Sequence, residues 1–222
     1  MESHSDNAAP GQEGPAMSNR RGRALHAGFA LVGALAISAC ASARYPAYYT
    51  LQFEPSTQAR APERGVGTLA IKELRCPDYL CEGRIVYRPT PAEVAFYQYH
   101  RWAVSPRTMI AQYLAERVRA RSLFVSVADD GSRMATDFVL SGTLEQLEEV
   151  DEARQPAAVC SISAQLVDTR TGAVVWSGTA TERVSVEQRD VAGVVNGLAA
   201  AVRATVDRLV TDMELELGRH RP

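Results

Sequence analysis

Ser161–Trp176, SISAQLVDTRTGAVVW, is the stretch whose reading decides the fold. Ile162, Ala164 and Leu166 alternate with Ser161, Ser163 and Gln165. A period of two puts one face of a strand in a core and the other in water. Asp168-Thr169-Arg170-Thr171-Gly172 then reads as a hairpin turn, with Gly172 supplying a positive φ. Val174 and Trp176 are predicted to share a face of the returning strand, which continues through Thr179 to Val186.

Downstream, Asp190 is placed as an N-cap. Val191, Val195, Leu198, Val202, Val206, Leu209, Met213 and Leu217 then recur every three or four residues, and Gly218 closes the helix. At 1.5 Å per residue the helix is roughly 40 Å long. Its apolar stripe is wide enough to cover a sheet; a helix partner in a homo-oligomer is the alternative use of it.

Upstream, Asp137–Leu147 reads as a strand with Phe138, Leu140 and Leu144 on one face and Gly142 marking a bulge. Residues 148–156 are acidic and polar and are expected to form a solvated connection. Glu145, Glu148, Glu149, Asp151 and Glu152 lack the alternating spacing and turn glycine of a cation loop. Ser105-Pro106 starts a second helix, with Met109, Ile110, Tyr113, Leu114, Arg117 and Val118 at helical intervals almost to Arg121. Leu123–Val127 is a short strand.

Signals conflict over residues 85–99. Thr90-Pro91-Ala92-Glu93 matches a helix capping box, while Ile85–Tyr87 and Val94, Phe96 and Tyr97 suit a hairpin. The hairpin is the reading adopted. Thr68–Leu74 alternates as a strand, residues 54–66 form a loop, and Tyr48-Tyr49-Thr50-Leu51 begins an extended segment. The fold class is therefore α+β: a single domain with a mixed, mainly antiparallel sheet covered by two principal helices.

The N-terminus carries a different signal. Arg20, Arg21 and Arg23 precede an uncharged apolar run, Ala27–Ile37, and then Ser38, Ala39 and Cys40. This is the layout of a secretory signal, and its apolar run is about half of the roughly 20 residues a membrane-spanning helix needs. Ile37-Ser38-Ala39-Cys40 resembles a lipobox, which implies acylation of Cys40 and cleavage before it. Two or more acyl chains are what stable anchoring requires. The expected organisation is a signal peptide over 1–39 with its true start at Met17, a lipidated tether over 40–47, a domain over 48–218 and a tail over 219–222. Ala41 follows the cysteine, which by analogy with enterobacterial sorting directs the anchor to the outer membrane, on its periplasmic face.

The segment 1–39 holds three arginines and three acids, so the mature chain keeps the net charge of −2. No nucleic-acid surface is implied. An exported chain keeps disulfides. Cys76 and Cys81 flank Pro77-Asp78-Tyr79-Leu80, a tight loop that would bring them together; metal binding competes, but no second Cys/His pair lies nearby. Cys160 reads as a buried free thiol. No catalytic residue and no cofactor is expected. The mature chain has only His100 and His220, no nucleophile elbow, no phosphate loop and no metal-ligand quartet. A hydrolase would have to be built on His100, which reads better as a polar packing residue.

Several motifs follow one another in a recognisable order: Tyr48-Tyr49-Thr50-Leu51, Pro77-Asp78-Tyr79-Leu80, Ile85-Val86-Tyr87-Arg88, His100-Arg101-Trp102-Ala103, Asp137-Phe138-Val139-Leu140 with Gly142, and Asp168 through Gly172 to Trp176. From about Tyr48 to Leu217 the set resembles the PqiC-like ABC-type transport auxiliary lipoproteins, which accompany MCE systems. The resemblance implies a non-catalytic role beside an MCE-domain protein and its ABC transporter, in the movement of lipids or other hydrophobic molecules between membranes. A structural or envelope-assembly lipoprotein is the competing class. Arg101 and Trp102 are the residues singled out for partner binding, because Arg and Trp are enriched at interface hot spots; the alternative is that Trp102 is core and Arg101 its neighbour. Tyr48 and Tyr49 pose the same choice against edge-strand packing.

Overall fold

The computed structural model describes residues 44–54, 65–128, 135–151 and 155–219. The segment 1–39 read as a signal peptide, Cys40, most of the 54–66 loop, Glu152 and His220 lie outside the described residues. Elements follow in the order β1 (Ala47–Tyr49), β2 (Thr68–Ile71), α1 (Asp78–Cys81), β3 (Arg84–Thr90), β4 (Glu93–Trp102), α2 (Pro106–Ala120), β5 (Ser126–Ala128), β6 (Phe138–Val150), β7 (Ala157–Asp168), β8 (Val174–Ser185) and α3 (Val191–Arg219).

These strands make one mixed, open sheet of eight. The long ladders are antiparallel: β6 with β7 from Phe138↔Asp168 to Val150↔Ala157, and β7 with β8 from Ala157↔Ser185 to Val167↔Val174. The parallel pairs are short and non-local. On its second edge β6 is shared end to end, its Phe138–Leu140 portion pairing with β2 and its Glu148–Val150 portion with β3. An isolated bridge from Arg75 to Thr143 fills the gap between them. The opposed signals at 85–99 resolve in favour of the hairpin, because Val86↔Phe96 and Tyr87↔Ala95 pair across the Pro91–Ala92 turn.

Helix α3 lies on β7 and β8. Its inward stripe includes Val195, Leu198, Val202, Val206, Leu209, Met213 and Leu217, all buried in the same core as Cys160, Ile162 and Leu166 of β7. Burying each such side chain is worth roughly 1.5–3 kcal/mol. At Gly197 an added Cβ would stand 3.0 Å from the Ala158 Cβ, so a larger residue there would push helix and sheet apart by a few tenths of an ångström. Asp190 caps the helix, its Oδ1 accepting from the Gly193 N–H at 2.7 Å. Two ion pairs, Arg117–Asp207 and Arg121–Glu214, tie α2 to α3. Both are partly solvated, so packing contributes more than they do.

Five local expectations are corrected. The β6 bulge falls at Glu145, between the Leu144↔Ile162 and Gln146↔Ser161 pairs, and Gly142 is in register. Gly142 is needed for another reason: a Cβ there would meet the Ser163 carbonyl oxygen at 2.5 Å. Val175 is an extra residue opposite the Leu166–Val167 step, so Val174 turns out to solvent, 55% exposed, while Trp176 is buried. Leu123 and Phe124 are buried turn residues, and β5 begins only at Ser126. Helix α3 continues through Gly218 to Arg219. Residues 148–150 belong to β6, which places Glu148 inside the protein.

Candidate partner-binding site

Strand β1 lies parallel to β4 on its outer edge, with Ala47↔His100, Tyr48↔Arg101 and Tyr49↔Trp102 in register. Two backbone bonds close the corner: the Trp102 N–H donates to the Gly83 carbonyl and the Ala103 N–H to that of Tyr49, each at 2.8 Å. Successive strand residues point to opposite faces, so the two adjacent pairs singled out from the sequence are each divided. Trp102 turns into the core, 6% exposed, with Tyr49 half-buried across from it. Tyr48 turns outward, 63% exposed, beside a half-exposed Arg101. Of the four residues, therefore, Tyr48 and Arg101 present a surface, and Trp102 and Tyr49 support it from below.

The support is aromatic and polar together. The Tyr49 hydroxyl is hydrogen-bonded to His100 Nδ1 at 3.0 Å, and the Tyr97 ring meets the His100 ring edge-on at 5.9 Å. Tyr87 packs on Tyr97 at 5.0 Å. The Tyr97 hydroxyl donates to the Glu149 carboxylate, and burial together with that carboxylate pushes the Tyr97 phenol well above its ordinary range. His100 thus packs among tyrosines, and the group bonded to it is a phenol.

The sequence reading missed the most buried charge. Glu148 is 0% exposed, and Arg88 grips it in bidentate fashion, Nε to Oε1 at 2.8 Å and Nη2 to Oε2 at 3.0 Å. Arg88 also donates to the Pro91 carbonyl at the hairpin turn, at 3.2 Å. Tyr79 lies against the pair, its phenol raised by burial first and by Glu148 second. A solvated acidic connection was expected here. The signal against it was present: Leu144 and Leu147 are both core residues three apart, which strict alternation does not allow. The bulge at Glu145 reconciles them and, in doing so, turns Glu148 to the face of Arg88.

Cys76 and Cys81 form a disulfide with Cα atoms 6.1 Å apart, closing the single-turn α1 that leads into β3. Among the described residues no cluster of three or more His, Cys, Asp or Glu could hold a metal ion. Cys160 is a free, buried thiol pushed up to about 12 by desolvation, which removes its nucleophilic form at neutral pH. The groove across β6, β7 and β8, about 430 Å³, is walled by Ser141, Thr143, Ser163, Gln165 and Ser177. Hydroxyl and amide walls do not suit a lipid tail, which needs apolar ones.

A family model described as ABC-type transport auxiliary lipoprotein component matches residues 49–212. Among solved structures, the chain is similar to protein XCC0632 from Xanthomonas campestris, of the family DUF330, with a TM-score of 0.65 and 21% identity over 78% of this chain and 98% of that one. An uncharacterized protein is similar with a TM-score of 0.61 and 16% identity over 76% of this chain and 99% of the other. At these identities the likeness establishes the fold. No curated protein sequence matches the chain.

Proposed function

Since the chain belongs to the family of ABC-type transport auxiliary lipoprotein components, we propose that it is a non-catalytic accessory of an MCE-type transporter. In this reading it is anchored by acylated Cys40 to the periplasmic face of the outer membrane. There it holds the periplasmic MCE assembly that passes lipids or other hydrophobic molecules between the membranes. One observation carries the reading: the family match runs from Tyr49 in β1 to Asp212 in α3, so every element of the fold lies within it or overlaps it.

The test is immunoprecipitation of the tagged protein from a membrane extract, with Cys40→Ala as control and partners identified by mass spectrometry. Recovery of an MCE-domain protein, reduced when the anchor is removed, is the expected result. Recovery of only outer-membrane or cell-wall assembly proteins would overturn the transport role and favour an assembly lipoprotein.

A further inference from the structure

From the distribution of exposed side chains we infer that the β1–β4 edge rests on the phospholipid headgroup layer of the membrane that holds the anchor. This inference rests on the reading of Cys40 as the acylated residue.

Tyr45, Tyr48, Tyr99, Val104, Val125, Val174 and Leu215 are the large apolar or aromatic side chains exposed among the described residues. The first four lie on β1 or β4 or within two residues of them. Exposed apolar groups gathered in one place mark an interaction surface, whereas scattered ones do not. The chemistry of this surface is specific. Tyrosine is an interfacial residue, with an apolar ring and a hydroxyl for the headgroup layer. Residues 44–53 and 94–104 contain no Asp or Glu and carry Arg44, His100 and Arg101. At the end of α1, just before β3, Glu82 is paired with Arg84. The edge therefore offers phenols and the Arg101 guanidinium to a phosphate-bearing layer; the exposed carboxylate of β4, Glu93, stands at its hairpin end, away from the residues 100–102 that pair with β1.

Chain length supplies the second, independent constraint. Four residues lie between Cys40 and Tyr45, so the two are at most about 18 Å apart when the chain is fully extended. Helix α3, of 29 residues, is about 43 Å long. A tether so much shorter than the domain it holds keeps β1 near the lipid surface, and with it Arg101, which stands in register with Tyr48. Val125, Val174 and Leu215 lie on β8, on α3 or beside β5, away in sequence from this entry point.

The test is hydroxyl-radical footprinting of the full, acylated protein in vesicles of phosphatidylethanolamine and phosphatidylglycerol, compared with the soluble Cys40→Ser form. Vesicle flotation is run in parallel. The expected result is flotation with a several-fold fall in oxidation of Tyr45, Tyr48, Tyr99 and Val104, and unchanged oxidation of Val125, Val174 and Leu215. Arg101→Glu combined with Tyr48→Ser should still float but lose the protection of Tyr45. Flotation with Tyr45 and Tyr48 oxidised as in the soluble form would overturn the inference and leave the anchor standing. Failure to float would remove the anchor and the inference with it. Protection appearing in the soluble form as its concentration rises would assign the edge to a second copy instead.

Discussion

Removing the guanidinium of Arg88 isolates a carboxylate that has no access to water, and the structure sets the size of the effect. Glu148 is fully buried, and Arg88 is 18% exposed. Breaking a buried pair by deleting one partner costs about 3–5 kcal/mol, because the surviving charge keeps its desolvation penalty. The lower end applies. Arg88 retains some solvent, and the Gln146 amide, 3.4 Å from Glu148 Oε1, is placed to replace part of one bond. Arg88→Met should therefore destabilise the fold by about 3 kcal/mol, roughly two decades in the unfolding equilibrium. Urea unfolding of the soluble Cys40→Ser form, followed by fluorescence of the buried Trp102 and Trp176, measures it. The Arg88→Met/Glu148→Leu double variant should recover most of the loss, since an apolar pair of similar volume carries no desolvation penalty. The deficit of the single variant should change little with added salt, as screening acts mainly on exposed charges. A loss below about 0.5 kcal/mol for Arg88→Met, the level of an ordinary surface substitution, would refute the reasoning; so would a double variant no better than the single one.

Reducing the Cys76–Cys81 disulfide opens a loop of six residues, and the chain-entropy model gives a loss of about 2 kcal/mol; a urea midpoint that does not move with dithiothreitol would contradict it. Burial and Glu149 raise the Tyr97 phenol above its ordinary 10.0, so the folded state holds this proton more tightly than the unfolded chain does. Its contribution is complete below pH 10 and is lost as pH rises further, an alkaline loss that Tyr97→Phe should reduce in a pH series of melting temperatures. Gly142→Ala sets a Cβ 2.5 Å from the Ser163 carbonyl oxygen, a backbone atom that cannot move aside. It should cost about 1–3 kcal/mol, as overpacking does, measured by the same urea titration.

Local information was enough for α2, α3 and the β7–β8 hairpin, because helical period, strand alternation and the Gly172 turn each act over a few residues. Cys76 and Cys81 were likewise readable, being separated by one short turn. What escaped the sequence was relational. Nothing near Ala47 announces that it will lie beside His100, or that Thr68 will lie beside Ser126. The position of the bulge was hidden for a related reason. Gly142 is the conspicuous residue, whereas Glu145 becomes the bulge only because Leu144 and Leu147 must both reach the core. That single extra residue decides whether Glu148 shares the core face of Leu144 or the face of Arg88. In the same way Tyr48-Tyr49 and Arg101-Trp102 look like units along the chain, and only the pleat shows that each contributes one residue to the surface and one to its support.

The division of one edge of β6 between β2 and β3 also bears on how the chain is built. Synthesis runs from the N-terminus, so everything through Ala128 emerges before β6 exists. Until then β1, β4 and β3 form one strip and β2 with β5 another, with no shared strand to hold them in order. Pairings this distant in sequence are slow to form. In the finished sheet residues 138–150 are the splint that joins the two strips, and no other strand among the described residues bridges them.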